Sequence, residues 1–377
     1  MRIGFDGKRA VQNFTGLGNY SRYVADILCH FYPENDYVLY APKKRENKRM
    51  NLLTGQYRQL TLAYPATSFW KKLSSLWRVW GITSQLEKEG IELFHGLSNE
   101  LPLNIHKSRI KSIVTIHDLI FLRYPQYYQS IDRKIYTYKF RKACENADKI
   151  IAISECTKRD IIRYFNIPDD KIEVVYQGCD VSFTHPVTEE KKEEVRKKYQ
   201  LPDHYILNVG SIEERKNILA AVQALPMLPQ HIHIVIVGRR TGYTDKVEQF
   251  IKDNGLGERV HIISNVPFND LPAFYQSAEI FVYPSRFEGF GIPIIEALYS
   301  GIPVVAATGS CLEEAGGPDS IYVNPDDITG LADAFKQIYS NSDKRKNMVE
   351  KGREFAKRFS EKQQSEEIIN IYKKLIR

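Results

Sequence analysis

The sequence predicts an α/β protein built from two doubly wound domains, each a parallel sheet covered by helices on both faces. Short β-branched or apolar runs alternate with amphipathic stretches through both halves of the chain, the pattern of parallel strands joined by crossover helices. At 377 residues the chain can bury two separate cores. The residues that are unusual for a plain scaffold also recur just beyond the ends of expected strands, where open parallel sheets bind ligands.

In the first half the strands are expected at 2–6, 37–41, 59–64, 91–95, 112–117, 149–153 and 172–176. In the second half they are expected at 205–210, 232–237, 260–263, 280–283, 303–307 and 321–323, with helical segments between many of them. The join is placed near 183–188, where Phe183-Thr-His-Pro186 precedes a charged helix over Glu189–Tyr199. This gives a first domain of residues 1–186 and a second of 187–360, the two facing a central cleft. A last helix over Glu361–Ile376 follows a break near Phe359-Ser360, and this C-terminal segment, 361–377, is expected to pack back on the first domain.

Composition is that of an ordinary soluble protein. The five cysteines (Cys29, Cys144, Cys156, Cys179 and Cys311) are scattered with no CxxC and no Cys/His cluster, which argues against a zinc site and a disulfide framework. The opening Met1-Arg-Ile-Gly-Phe-Asp6 reads as a strand and not as a signal peptide, and no apolar run reaches the roughly 18 residues of a membrane span. A cytoplasmic protein is the expectation. Charge is uneven: residues 1–186 carry 28 basic and 19 acidic side chains, net +9, and residues 187–377 carry 25 and 27, net −2. An excess of that kind serves solubility, or meets nucleic acid, an anionic membrane or an acidic substrate.

The most informative segment is Tyr283-Pro-Ser-Arg-Phe-Glu288-Gly-Phe-Gly-Ile-Pro-Ile-Ile-Glu296. A strand runs into a loop holding Glu288 and two glycines, and a helix then opens around Pro293, a residue suited to a first turn because its missing N–H would be unpaired there. The amides near Gly291 and Ile292 then point out of the helix start as a site for a phosphate. Carboxylates on either side, Glu288 and Glu296, suit the hydroxyls of a sugar and of a ribose. Alone, a glutamate near a helix start or a glycine pair after a strand is as readily structural.

Three further groups share the strand-end position. The loop Thr15-Gly16-Leu-Gly18-Asn19 follows the first strand, His117-Asp118 ends the strand near 113–116, and Arg215-Lys216-Asn217 follows the strand near 205–210. Gly16-x-Gly18 lacks the third glycine of a dinucleotide fingerprint, Ser21 standing there, which disfavours a dehydrogenase.

This constellation resembles the retaining nucleotide-sugar glycosyltransferases of family 4, which have the two-Rossmann fold called GT-B, and the likeness spans nearly the whole chain. Its strongest element is the Glu288-x7-Glu296 segment; next is Val209-Gly-Ser-Ile-Glu-Glu-Arg215-Lys216-Asn217. Ile153-Ser-Glu-Cys-Thr-Lys158 and Gly301-Ile-Pro-Val-Val305 also look like family segments. The resemblance implies that Arg215 and Lys216 hold the donor diphosphate, Glu288 binds the transferred sugar and Glu296 the ribose. Phe290, Gly291 and Ile292 would contact sugar and phosphate, and Gly16 and Gly18 would let backbone approach the diphosphate. His117 would lie beside the reacting sugar, and Arg239, Asn265 and Val266 near the base. The implied reaction moves a hexose, mannose among the candidates, from a GDP- or UDP-linked donor to a hydroxyl of a glycan or lipid-linked acceptor, as in bacterial surface polysaccharide synthesis. No cofactor and no metal are expected; there is no Asp-x-Asp motif.

Rival readings are a nucleotide-sugar epimerase or phosphorylase of the same architecture, and a nucleic-acid-binding protein using the basic half, for which no motif is present; no nucleic-acid partner is expected. Finally, Phe69-Trp70-Lys-Lys-Leu73-Ser-Ser-Leu76-Trp77-Arg-Val-Trp80 holds all three tryptophans at helical spacing, with Lys43-Lys-Arg-Glu-Asn-Lys-Arg49 upstream. It reads either as core or cleft wall or as an interfacial helix giving a peripheral contact with the inner face of an anionic membrane.

Overall fold

A computed structural model of the chain describes residues 1–376. It forms two compact units, Met1–Gln177 together with the segment from Glu361, and Gly178–Ser360. The first unit holds a seven-stranded parallel sheet: β1 (Arg2–Asp6), β2 (Asp36–Tyr40), β3 (Leu60–Ala63), β4 (Leu93–Gly96), β5 (Lys111–Ile116), β6 (Lys149–Ala152) and β7 (Ile172–Val174), in the order β3-β2-β1-β4-β5-β6-β7. The second holds β8 (Tyr205–Val209), β9 (His233–Val237), β10 (Val260–Ile263), β11 (Ile280–Tyr283), β12 (Val304–Ala307) and β13 (Ile321–Val323), in the order β10-β9-β8-β11-β12-β13. All thirteen strands lie within two residues of their expected positions.

Helices on both faces cover these sheets, so central strands such as β4 and β11 are buried at every position, and β11 reads as an unbroken apolar run. In each sheet the strand order reverses once, between β1 and β4 and between β8 and β11. These reversals open the crevices in which doubly wound sheets receive ligands.

The boundary between the units falls at Gln177/Gly178, ahead of the expected 183–188. The reason is Phe183, whose ring stands edge-on to Tyr275 at 5.3 Å and to Phe268 at 5.9 Å, and Val187, whose N–H donates to Gln276 at 2.8 Å. Aromatic packing thus ties the linker to the second unit. The helix Glu361–Ile376 lies against the first unit's core: Ile368, Ile369 and Tyr372 share a cluster with Val24 and Leu28, and the Tyr372 hydroxyl meets His95 Nδ1 at 2.6 Å.

The tryptophan segment is a broken helical run, Ser68–Lys72 and Ser74–Leu76, then a π-helical turn over Trp77–Gly81 and an α-helix over Ile82–Lys88. Trp77 is buried, its indole N–H donating to Gln85 at 3.1 Å, and Trp70 is half-buried over Gly81, where a Cβ would come within 2.5 Å of the ring. Trp80 is exposed, so the segment is core on one side and surface on the other.

Candidate functional site

At the switch point of the second sheet, β8 and β11 are neighbours, with Ile206 opposite Ile280 and Leu207 opposite Phe281. The turns that follow them therefore meet. After β8 come Gly210, at φ +155°, and a short 3-10 turn over Glu214–Lys216 that carries both cations. It ends on Asn217, left-handed at φ 54°, whose side-chain amide donates to the carbonyls of Pro284 at 3.3 Å and Pro325 at 2.8 Å. Asparagine is among the few side chains tolerating that conformation, and here it also pins the turn to the loop after β11.

Glu288 stands in that loop with its carboxylate between the two cations, 2.8 Å from Arg215 and 3.1 Å from Lys216. Ser285 Oγ donates to the same carboxylate at 2.9 Å and the Tyr283 hydroxyl at 3.2 Å, while Lys216 donates to that hydroxyl at 2.8 Å. Burial alone would raise the Glu288 pKa, but the charges of Lys216 and Arg215 and the hydrogen bonds from Arg215 and Ser285 outweigh it and hold it down to about 2. Burial likewise works against the charged forms of Lys216 and Arg215, and Glu288 reverses it, leaving both above their ordinary values. All three groups are ionised at neutral pH. Tyr283 and Ser285 were not singled out in the sequence, although both lie in its most informative segment.

The loop's carbonyls and amides are treated differently. Cys311 Sγ lies 3.0 Å from the carbonyl oxygen of Glu288 and 2.7 Å from that of Phe290. The helix Ile292–Ser300 then opens with Pro293 in its first turn and Gly291 as cap at φ 146°. That conformation demands glycine, and a Cβ there would also press on Leu312 and Ala315 at 3.2 Å. The Gly291 and Ile292 amides have no hydrogen-bond partner among the described residues, as expected of donors at a helix start. The hydroxyl of Ser310, just past β12, is buried without a partner. A buried hydroxyl normally finds one, and no apolar pattern in the sequence could have marked it.

Glu296 sits in the second turn of the same helix and accepts a 2.6 Å hydrogen bond from the Tyr275 hydroxyl. Burial, with a smaller push from Asp180, outweighs that bond and raises its pKa to about 7. Arg239 follows β9 with a side chain 78% exposed, 3.7 Å from Glu213. Asn265, left-handed at φ 60°, and Val266 follow β10. The structure thus brings Arg215, Lys216, Glu288 and the 290–292 turn together, and sets Arg239, Asn265 and Val266 along the same sheet edge.

In the first unit a short helix, Lys8–Gln12, comes directly after β1, and Gly16 is the first residue of the helix Gly16–Phe31. Gly16 and Gly18 are therefore in a helical turn, where the sequence had suggested a loop. A Cβ on Gly18 would lie 2.0 Å from the Asn13 carbonyl oxygen, so the chain's own backbone occupies the room this glycine leaves; Gly16 faces open space. His117, at the end of β5, is buried with both ring nitrogens engaged: Nε2 donates to the Leu97 carbonyl at 2.9 Å, and Nδ1 accepts from Gln177 at 3.2 Å. Burial, the largest influence, lowers its pKa to about 4, so this imidazole is neutral. At the β1/β4 crevice Arg78 pairs with Asp6 and Glu100, two carboxylates whose pairing the sequence did not reveal.

Two sheets of this order, each reversing once, make a GT-B architecture. The solved structure of Anabaena Alr3699/HepE in complex with UDP and glucose shares it, with a TM-score of 0.77 at 18% identity over 100% of both chains. Family models match both units, the Glycosyltransferase Family 4 model over residues 21–183 and the Glycosyl transferases group 1 model over residues 189–355. The O-antigen chain mannosyltransferase B of Escherichia coli is 31% identical over 289 residues, covering 75% of this chain and 74% of that protein. The O-antigen chain mannosyltransferase RfbU of Salmonella typhimurium is 29% identical over 225 residues, 60% of each chain. The chain belongs to the family 4/group 1 glycosyltransferases. No helix among the described residues is long and apolar enough to cross a membrane.

Proposed function

We propose that this glycosyltransferase is a retaining, metal-independent hexosyltransferase, taking mannose from a nucleoside-diphosphate donor to a hydroxyl of a lipid-linked glycan in O-antigen-type polysaccharide synthesis in the cytoplasm. The observation that carries the reading is the Glu288 carboxylate held between Arg215 and Lys216 at the β8/β11 switch point. A diphosphate there competes with Glu288 for the same cations, leaving the carboxylate to accept hydroxyls of the sugar. The helix-start amides at Gly291 and Ile292 add donors for a phosphate. As the sugar–phosphate bond breaks, negative charge grows on the diphosphate, and fixed cations lower that barrier without a divalent ion. The acceptor oxygen bonds to C1 on the face the phosphate leaves, and its proton passes to the departing phosphate oxygen. Glu296 takes the ribose, the edge after β9 and β10 takes the base, and His117, neutral and fixed, borders the sugar.

Mannose and the O-antigen setting rest on the two bacterial relatives, and the diphosphate on the UDP complex of the Anabaena protein. The test is incubation with GDP-mannose and a panel of UDP-hexoses, with and without a polyprenyl-linked glycan, and mass and anomeric analysis of the product. A product of inverted anomeric configuration rejects retention. Donor epimerisation without transfer, or consumption of inorganic phosphate, would replace the transferase reading with an epimerase or phosphorylase.

A further inference from the structure

Gln177 is the residue on which the chain leaves the first unit, and it is only 6% exposed. A long polar side chain is seldom buried unless it has something to bond. Gln177 stands three residues past β7 and reaches back across 60 positions of sequence, where its side-chain amide donates to Nδ1 of His117 at 3.2 Å.

The neighbouring bonds settle the proton on that imidazole. Nε2 lies 2.9 Å from the Leu97 carbonyl oxygen, which can only accept, so Nε2 carries the hydrogen. In a neutral ring Nδ1 is then a lone pair in need of a donor, and the Gln177 NH2 supplies it. Burial disfavours the charged ring most; the Leu97 carbonyl works the other way, and Arg9 sides with burial. The ring is also fixed in place. Tyr20, on the helix Gly16–Phe31, stands edge-on to it at 4.6 Å. The His117 N–H donates to Asn99 Oδ1 at 2.7 Å, and its carbonyl accepts from Thr157 at 3.3 Å. The titratable groups about the ring are Tyr20, Arg9 and His95, while Asp118, next in sequence, accepts from the Ile120 N–H at 3.1 Å.

We propose that Gln177 is a positioning residue for transfer, its amide keeping His117 a neutral, Nε2-protonated imidazole beside the transferred sugar. This rests on the reading that sets His117 at the sugar. The chemistry asks for that state. As the bond from C1 to the phosphate breaks, the sugar ring gathers positive charge. Arg215 and Lys216 serve the phosphate side of that step, where charge is negative. An imidazolium on the sugar side would oppose it, and an uncharged ring would not.

The test begins on the wild-type chain. Nitrogen-15 NMR with labelled histidine, the His117 signals assigned by their absence from His117→Ala, should show the neutral Nε2–H tautomer from about pH 8 down to about pH 5. In Gln177→Glu the side chain keeps its size but presents an acceptor, so the ring should hold a second proton near neutrality. With saturating donor, kcat at pH 7 should fall at least about tenfold and climb with pH as that proton leaves. Affinity for free nucleoside diphosphate should be unchanged, which also shows the variant folded. In a His117→Ala background, Gln177→Glu should cost nothing further. A wild-type His117 that carries its hydrogen on Nδ1, or titrates near the ordinary value of about 6.5, overturns the proposal. So does a Gln177→Glu protein whose His117 is charged while kcat stays at the wild-type value. If His117→Ala itself transfers at the wild-type rate, the placement of His117 at the sugar fails and takes the proposal with it; failure with His117→Ala impaired belongs to Gln177 alone.

Discussion

The Glu288 carboxylate lies 3.1 Å from the Lys216 ammonium, and the hydroxyl of Tyr283 bonds to both. With Arg215 on the second carboxylate oxygen, the chain neutralises its own cations. Whatever negative group binds there must exchange with Glu288, which couples phosphate binding to release of a carboxylate beside it.

That exchange fixes the behaviour of Glu288→Gln. The amide keeps the shape and can still accept from Ser285, but two largely buried cations lose their counter-charge. Nucleoside-diphosphate affinity should hold or tighten, because no carboxylate competes. Turnover should fall by about 10²-fold or more, because a sugar whose hydroxyls lose their acceptor is misplaced for transfer. Stability should drop by about 1–3 kcal/mol, less than for a fully buried pair, since the Glu288 side chain is 14% exposed. Calorimetry with free GDP and UDP, alongside single-turnover transfer, checks both. Loss of nucleotide binding with transfer intact would reverse the assignment.

Arg215→Ala and Lys216→Ala should each cost more in kcat than in affinity for a nucleoside monophosphate. Their charge matters most once the diphosphate departs. About 10²-fold in turnover is the scale expected for each. Transfer should persist in excess EDTA, and a complete loss that magnesium restores would end the metal-independent mechanism.

Glu296 supplies a pH signature. Its folded pKa, about 7, lies above the ordinary 4.5, so between those values the folded chain keeps a proton that the unfolded chain has released. The stability contribution is therefore full below about pH 4.5 and lost as pH rises through about 7, on the order of 3 kcal/mol in all. Glu296→Gln should flatten that part of the profile in thermal unfolding. If the ionised carboxylate accepts ribose hydroxyls, wild-type nucleotide affinity rises from pH 6 to 8. In Glu296→Ala it should stay low, by roughly 1.5–3 kcal/mol. A wild-type affinity flat across that range removes Glu296 from the nucleotide site.

The sheets were legible because helix-covered parallel strands leave short apolar or β-branched runs alternating with amphipathic stretches, and all thirteen could be placed from that alternation. The meeting of Arg215, Lys216 and Glu288 was legible too, since each follows a strand and strand ends share one edge. What local pattern could not show was pairing across the sequence. The join moved to Gln177 because Phe183 finds Tyr275 some ninety residues on, and Arg78 meets Asp6 across 72 residues. The helix Ser130–Asn146 leaves Ile131, Ile135 and Tyr138 exposed for a similar reason, because Phe140 holds its other side against Phe121 at 5.2 Å between rings.

The two glycines after β1 differ in what surrounds them. Gly18 is closed by the Asn13 carbonyl, 2.0 Å from where a Cβ would sit, so Gly18→Ala must shift backbone and should cost about 1–3 kcal/mol whatever the ligand. Gly16 has nothing within 4 Å of that position and begins a helix, so Gly16→Ala should fold with a midpoint at or slightly above wild type. If backbone at Gly16 approaches the donor diphosphate, the added methyl intrudes on that approach. The alanine variant should then bind nucleoside diphosphate at least about tenfold more weakly, about 1.4 kcal/mol, while remaining fully stable. Thermal unfolding and calorimetry on the same two variants make the comparison. A Gly16→Ala protein with unchanged diphosphate affinity and turnover would show that the first unit's opening turn serves the fold and leaves the phosphates to Arg215, Lys216 and the 291–292 amides.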